Sequence, residues 1–198
     1  MGYGLRLRYD RTGHVTDLDE AVAFGRRAVG AVEPGHPDRA RCQTNLSGAP
    51  RVRFDRVGAL ADLDESVAVG WAAVEATPVG HATLPKYLLN LAGALGARAE
   101  RIGDRSGRRE ALAAARRAVE LTLADHPDLG LFLSSLTGKL LGRGGSDTDA
   151  ANVDEAVAVA RRGVDVTLSD HPDLQMAVVS SVNAAAMRSP RGASMPSS

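Results

Sequence analysis

The sequence predicts an all-α chain, an α-solenoid built from antiparallel helix pairs, and three regularities predict it. His36, His81, His126 and His171 follow one another at steps of 45 residues, without insertion or deletion. The same step carries Asp19-Glu20 onto Asp64-Glu65, Arg109-Glu110 and Asp154-Glu155, and Gly13 onto Gly58 and Gly103. A period between about 20 and 50 residues marks an array of stacked units, each burying its apolar face on its neighbours. Within each unit the apolar residues recur at spacings of three and four, and no segment alternates with the period of two that a strand needs.

The chain opens inside a unit, with Leu5, Leu7 and Tyr9 left of a long helix before Gly13. A second helix then starts at Asp17-Leu-Asp-Glu20-Ala-Val22, where Asp17 reads as the N-cap and Glu20 as the residue reaching back to it. The register partners of Asp17 are Asp62, Gly107 and Asn152, all residue types favoured at a cap, and Glu20 recurs as Glu65, Glu110 and Glu155. Past the cap, Leu18, Ala21, Val22, Gly25, Ala28, Val29 and Val32 form one helical stripe, repeated at Val153, Ala156, Val157, Ala160, Gly163, Val164 and Thr167. Gly or Ala holds positions 25, 70, 115 and 160, and again 28, 73, 118 and 163, so a second helix is expected to approach closely there. Arg26-Arg27, Arg116-Arg117 and Arg161-Arg162 read as a solvated face, interrupted by Trp71-Ala72, where Trp71 is expected to pack on a neighbouring helix, the alternative being an exposed aromatic contact.

The longer helix of the unit follows Gly35-His36-Pro37-Asp38, where proline suits the first turn and aspartate complements the positive helix end. Its stripe reads Leu84, Leu88, Leu91, Leu95 and Ile102, with Tyr87 alongside, and in the next copy Leu129, Phe132, Leu133, Leu136 and Leu140. Gly103, like Gly13 and Gly58, is expected to end it as a C-terminal cap. Pro50 stands in register with Leu95 and Leu140 and predicts a kink, since an interior proline removes a hydrogen bond and costs about 3 kcal/mol. Gly144-Gly145 and a polar connection from Ser146 to Ala151 predict a second weak point. Leu174 to Met187 supplies one more long helix. The repeat domain is therefore drawn over residues 1–187, truncated within a unit at both ends, with 188–198 a Pro/Ser/Gly-rich disordered tail. A solenoid cut inside its units reads as a piece of a longer or degraded gene product.

Composition narrows the function. Lys plus Arg and Asp plus Glu are each 24, so the net charge of zero removes the electrostatic footprint of a nucleic-acid or membrane-surface binder. Cys42 is the single cysteine, which excludes an intrachain disulfide and a thiolate metal cluster and fits a reducing cytoplasm. No stretch approaches the roughly 18 apolar residues of a membrane span.

These residues resemble a tetratricopeptide repeat protein, in the extended version found in long arrays of high-GC bacteria. The resemblance rests on Asn45-Leu46-Ser47-Gly48-Ala49, on Asn90-Leu91-Ala92-Gly93-Ala94-Leu95, on the Asp-Leu-Asp-Glu-Ala-Val opening, and on Ala28, Ala73 and Ala118. It covers nearly all residues up to 187. A period of 45 exceeds the family's usual length of about 34, and Pro50, Leu95 or Leu140 stands where the first helix usually has an aromatic. The resemblance implies a right-handed superhelix and a concave groove lined by the first helix of each unit. Long relatives join such arrays to a caspase-like protease or an NTPase domain, and this sequence has neither, lacking a Gly-rich phosphate loop.

Sharper chemistry finds little support. His126-Pro127-Asp128 and His171-Pro172-Asp173 match the tripeptide of J-domain co-chaperones, but here it recurs with the unit and reads as a turn. Equivalent histidines in a helical stack lie on the order of 10 Å apart, too far to share one metal ion. Cys42 has no recurrent partner, and the carboxylates are assigned to caps and exposed faces, so no enzyme activity, metal or cofactor is expected. A binding groove is better motivated. Arg41 with Asn45, and Lys86 with Asn90, place a cation and an amide four residues apart on one helical face. The cation suits a carboxylate and the amide a peptide backbone, so the groove is expected to hold an extended or acidic segment; the change to Leu131 and Ser135 in the next copy breaks the pattern. The expected function is a non-enzymatic scaffold for a partner protein or a second copy of the chain, without nucleic acid or membrane. The alternative is a regulatory repeat fragment of a larger protease- or NTPase-linked signalling protein.

Overall fold

The computed structural model describes residues 9, 11, 13–36, 38–142 and 150–168. Seven helices are described: α1 Val15–Gly30, α2 Asp38–Val57, α3 Leu60–Glu75, α4 Leu84–Ile102, α5 Arg105–Glu120, α6 Leu129–Leu141 and α7 Ala150–Leu168. No strand occurs among the described residues. Two compact lobes divide the chain, Met1–Leu123 with α1 to α5 and Ala124–Ser198 with α6 and α7. In the first lobe each helix packs on the next, and α2 also touches α4, its equivalent one copy later. In the second, α6 packs on α7. This is the all-α, α-solenoid class, with α2, α4 and α6 as first helices and α1, α3, α5 and α7 as second helices of successive copies.

The turn from first to second helix is made by glycine. Gly13, Gly58 and Gly103 have φ of 72°, 76° and 71°, the left-handed region that costs other residues a Cβ clash. The Gly58 amide donates to the Phe54 carbonyl at 2.8 Å, and the amide of Asp104, just past Gly103, donates to the Ala99 carbonyl at 2.9 Å, so orphan carbonyls at the helix ends are satisfied.

The reverse turn belongs to histidine. Nδ1 of His36 accepts from the Asp38 amide at 3.1 Å, Nδ1 of His81 from the Thr83 amide at 3.3 Å, and Nδ1 of His126 from the Asp128 amide at 3.1 Å. Each carbonyl of the same three residues accepts from the amide three positions on, in Arg39, Leu84 and Leu129. The recurring histidine thus imitates the side-chain turn that Asn or Asp usually supplies. Arg39 strengthens the first of these turns by donating to the carbonyls of Val29 and Val32 at the end of α1.

Small residues let the helices close. A Cβ added at Gly25 would stand 2.8 Å from Leu46 Cδ1 and 3.2 Å from its Cβ; at Gly70 it would meet Leu91 Cδ1 at 3.1 Å. The approach expected from the sequence therefore occurs between α1 and Leu46 of α2 and between α3 and Leu91 of α4. Leu18, Val22, Leu63 and Leu91 are fully buried in the first lobe, and Leu129, Phe132 and Leu133 in the second.

Several expectations need correction. The second helices start two or three residues before the anticipated caps: α1, α3 and α5 follow His14, Ala59 and Asp104, themselves 45 residues apart. Asp17 and Asp62 therefore sit in the first turn, and both are buried rather than placed at exposed caps. Of the residues preceding α1, α3 and α5, Asp104 alone makes a side-chain cap, accepting from the Ser106 amide at 2.9 Å. Likewise α7 begins at Ala150, ahead of Asn152 and within the stretch drawn as a connection. Ile102 is 45% exposed and ends the α4 stripe on the surface. Pro50, where a kink is expected, lies inside α2 and is fully buried. Leu5, Leu7, Gly144, Gly145, His171, the helix drawn over Leu174 to Met187 and the tail at 188–198 lie outside the described residues.

Candidate functional site

Arg41 and Asn45 lie on α2, Lys86 and Asn90 on α4, and all four side chains are exposed. Because α2 and α4 are packed neighbours, the two cation–amide pairs occupy corresponding turns of adjacent first helices. Arg41 is engaged within its own helix, with Nη2 donating to Asp38 Oδ1 at 2.9 Å and Nε to the same atom at 3.2 Å. That hydrogen bond raises the Arg41 pKa above its ordinary value. An incoming carboxylate would compete with Asp38 for Arg41. Gly93, three residues beyond Asn90, has nothing within 4 Å of an added Cβ, so the surface beside that amide is open to close approach.

A second set of residues, not evident from helical spacing, fixes the first helices to the second. Arg53 on α2 donates through Nε to both carboxylate oxygens of Asp62 on α3, at 3.1 Å each, and through Nη2 to Asp62 Oδ1. Its Nη1 reaches Asp19 on α1 at 3.0 Å. The hydrogen bond to Asp62 is the largest influence on Arg53 and raises its pKa; burial opposes it and Asp19 adds to it. One copy later Arg98 Nε donates to Asp64 Oδ1 at 2.6 Å, the register equivalent of the Arg53–Asp19 contact. The buried carboxylate is missing there, because Gly107 replaces it, and a Cβ at Gly107 would meet Asp104 Oδ2 at 2.9 Å. The periodic signal was present in the sequence: Arg8, Arg53, Arg98 and Arg143 are spaced by 45.

No family model matches the chain, and no curated protein matches it. Solved structures do match. The crystal structure of nearly identical TPR-like repeats from a Podosopora anserina protein described as a kinesin light chain superposes with a TM-score of 0.65 at 19% identity, covering 94% of this chain and 84% of that one. A single-substitution variant of that same protein gives the same values. The fold is that of a TPR-like helical repeat.

The second helices of the TPR-like array carry their own contact. Arg26 on α1 donates through Nε to Glu65 Oε1 and through Nη2 to Glu65 Oε2, both at 2.7 Å, linking α1 to α3. The hydrogen bond to Glu65 raises the Arg26 pKa. Arg26 is therefore more than a solvated cation: it joins two copies of the repeat. Arg27 lies against the Phe24 ring, 5.9 Å from its centroid. Trp71, the register equivalent of Arg26, is 39% exposed. In the second lobe, Leu133, Thr137, Leu141, Ala160 and Gly163 line a cleft of about 220 Å³ between α6 and α7. Among the described residues no helix is long and apolar enough to cross a membrane, and no group of three or more His, Cys, Asp or Glu is placed to hold a metal ion.

Proposed function

We propose that this chain is a non-enzymatic scaffold that binds a partner protein, or a second copy of itself, along the exposed side of its first helices. Arg41 and Lys86 supply the charge and Asn45 and Asn90 the amides, and the occupant is an extended segment bearing carboxylates. The observation that supports this reading is the contact of α2 with α4, the two first helices that each carry an exposed cation–amide pair at the same register positions. The engagement of Arg41 by Asp38 leaves Lys86 as the stronger of the two cations for an outside ligand. The 45-residue period fits the extended repeat of high-GC bacteria, and a lone Cys42 fits a reducing cytoplasm.

The test is capture of partners from the native cell by wild type and by the double variant Arg41→Ala/Lys86→Ala, followed by quantitative mass spectrometry. Specific partners are expected to fall roughly ten-fold in the double variant, the loss of about 1.4 kcal/mol of polar contact. Unchanged recovery by a folded variant rejects the assignment of this face.

A further inference from the structure

We propose that Trp71 and Glu110 form a docking point for an arginine side chain presented by a partner protein. The site lies on the second helices and stands independently of the first-helix groove.

In the first two copies, position 26 supplies a guanidinium and position 65 the carboxylate that receives it, two bonds of 2.7 Å from α1 to α3. Advancing both positions by 45 gives Trp71 on α3 and Glu110 on α5. The acceptor is kept and the donor is exchanged for an indole. Glu110 is exposed and makes no hydrogen bond or ion pair among the described residues. Arg98 senses its charge through space, but the Arg98 hydrogen bond goes to Asp64. Two further arginines of α5 do not supply the partner. Arg117 is paired with Glu120 at 3.2 Å, and Arg109 is rotated about 100° around the helix from Glu110. One helical turn from each, Ala68 before Trp71 and Ala113 after Glu110 are small and exposed.

By register with the bonded Arg26–Glu65 pair, an exposed aromatic ring faces a carboxylate, an arrangement suited to one chemistry. A planar guanidinium stacks on the indole face while its N–H groups donate to the carboxylate, and the weak hydration of arginine lowers the cost of bringing it there. Lysine, a compact and strongly hydrated charge, gains less from the same surface. An arginine from outside would then occupy, between the second and third copies, the place that Arg26 occupies between the first and second.

Trp71 is the single tryptophan, so its fluorescence and its indole N–H resonance report on this point alone. The probe is a capped Gly-Arg-Gly peptide, compared with the same peptide carrying citrulline, which keeps the shape and removes the charge. The arginine peptide is expected to move the Trp71 signals saturably in the millimolar range, with roughly ten-fold weaker effect from the citrulline peptide. Glu110→Gln should erase the difference between the two peptides. Trp71→Arg should restore the internal pair, raise the melting temperature, and abolish the peptide-induced shift of the Glu110 amide. An equal response to both peptides, or a wild-type response in folded Glu110→Gln, overturns the proposal.

Discussion

Arg53 and Asp62 are joined across the turn from α2 to α3 by a guanidinium that bonds both carboxylate oxygens, and Asp62 is only 2% exposed. A buried carboxylate without its cation is worse placed than no carboxylate at all. Arg53→Ala should therefore destabilise the first lobe by about 3 kcal/mol, while Arg53→Ala/Asp62→Ala, which removes both charges, should recover much of that loss. Denaturant midpoints of the two variants decide it. A double variant no more stable than the single one would mean that Arg53 acts through packing alone.

Ser66 is completely buried, its hydroxyl meets no hydrogen-bond partner, and the equivalent positions hold Ala21, Ala111 and Ala156. Three copies thus show what the site accommodates. Ser66→Ala should raise stability by about 1 kcal/mol, from recovered desolvation and better helix propensity. Gln43, with an unpartnered Oε1 where other copies have Leu88 and Leu133, should respond in the same direction to Gln43→Leu. A fall in melting temperature for Ser66→Ala would indicate that its hydroxyl is bonded in solution.

Much of the fold was legible because it repeats. The leucine stripes, the glycine ends at Gly58 and Gly103, and the close approach at Gly25 and Gly70 follow from helical spacing and steric size, which a single sequence displays. Helix starts were less legible, since an acidic residue is favourable both at a cap and in the first turn, and Asp62 occupies the latter. The Arg53–Asp62 and Arg26–Glu65 contacts were hidden for a different reason. They join residues 9 and 39 positions apart, so only the placement of whole helices brings them together. For the candidate groove, helical spacing suffices to put Arg41 and Asn45 on one face; the exposure of that face and the competing Asp38 contact depend on how the whole helices pack and on side-chain conformation.

Two glycines at equally helical sites should respond oppositely to alanine. At Gly93 an added Cβ meets nothing within 4 Å, so Gly93→Ala should stabilise α4 by about 1 kcal/mol. At Gly25 the same methyl would press on Leu46 Cβ at 3.2 Å, and overpacking of about 1–3 kcal/mol should outweigh the helix gain. Thermal melts of the two variants check the sign. A stabilised Gly25→Ala would show that α1 and α2 separate readily. If a partner backbone approaches α4 beside Asn90, Gly93→Ala should in addition weaken partner capture while strengthening the fold, a combination that general destabilisation cannot produce.

The periodic histidine gives the last test. His81 is exposed, and its Nδ1 accepts from the Thr83 amide at 3.3 Å and lies 2.9 Å from Thr83 Oγ1, so its ring holds the α3–α4 turn with little contribution from packing. Removing the acceptor in His81→Ala should cost about 1 kcal/mol, the loss expected for a helix-start cap. His81→Asn should keep most of it, because a short side-chain oxygen makes the same turn. His126 has a further role, its ring stacked on Phe132 with centroids 6.1 Å apart, so His126→Asn should lose stability where His81→Asn does not. Equilibrium unfolding of these variants separates the hydrogen bond from the ring. Equal losses for His81→Ala and His81→Asn would show that the recurrent imidazole is kept for something other than its acceptor nitrogen.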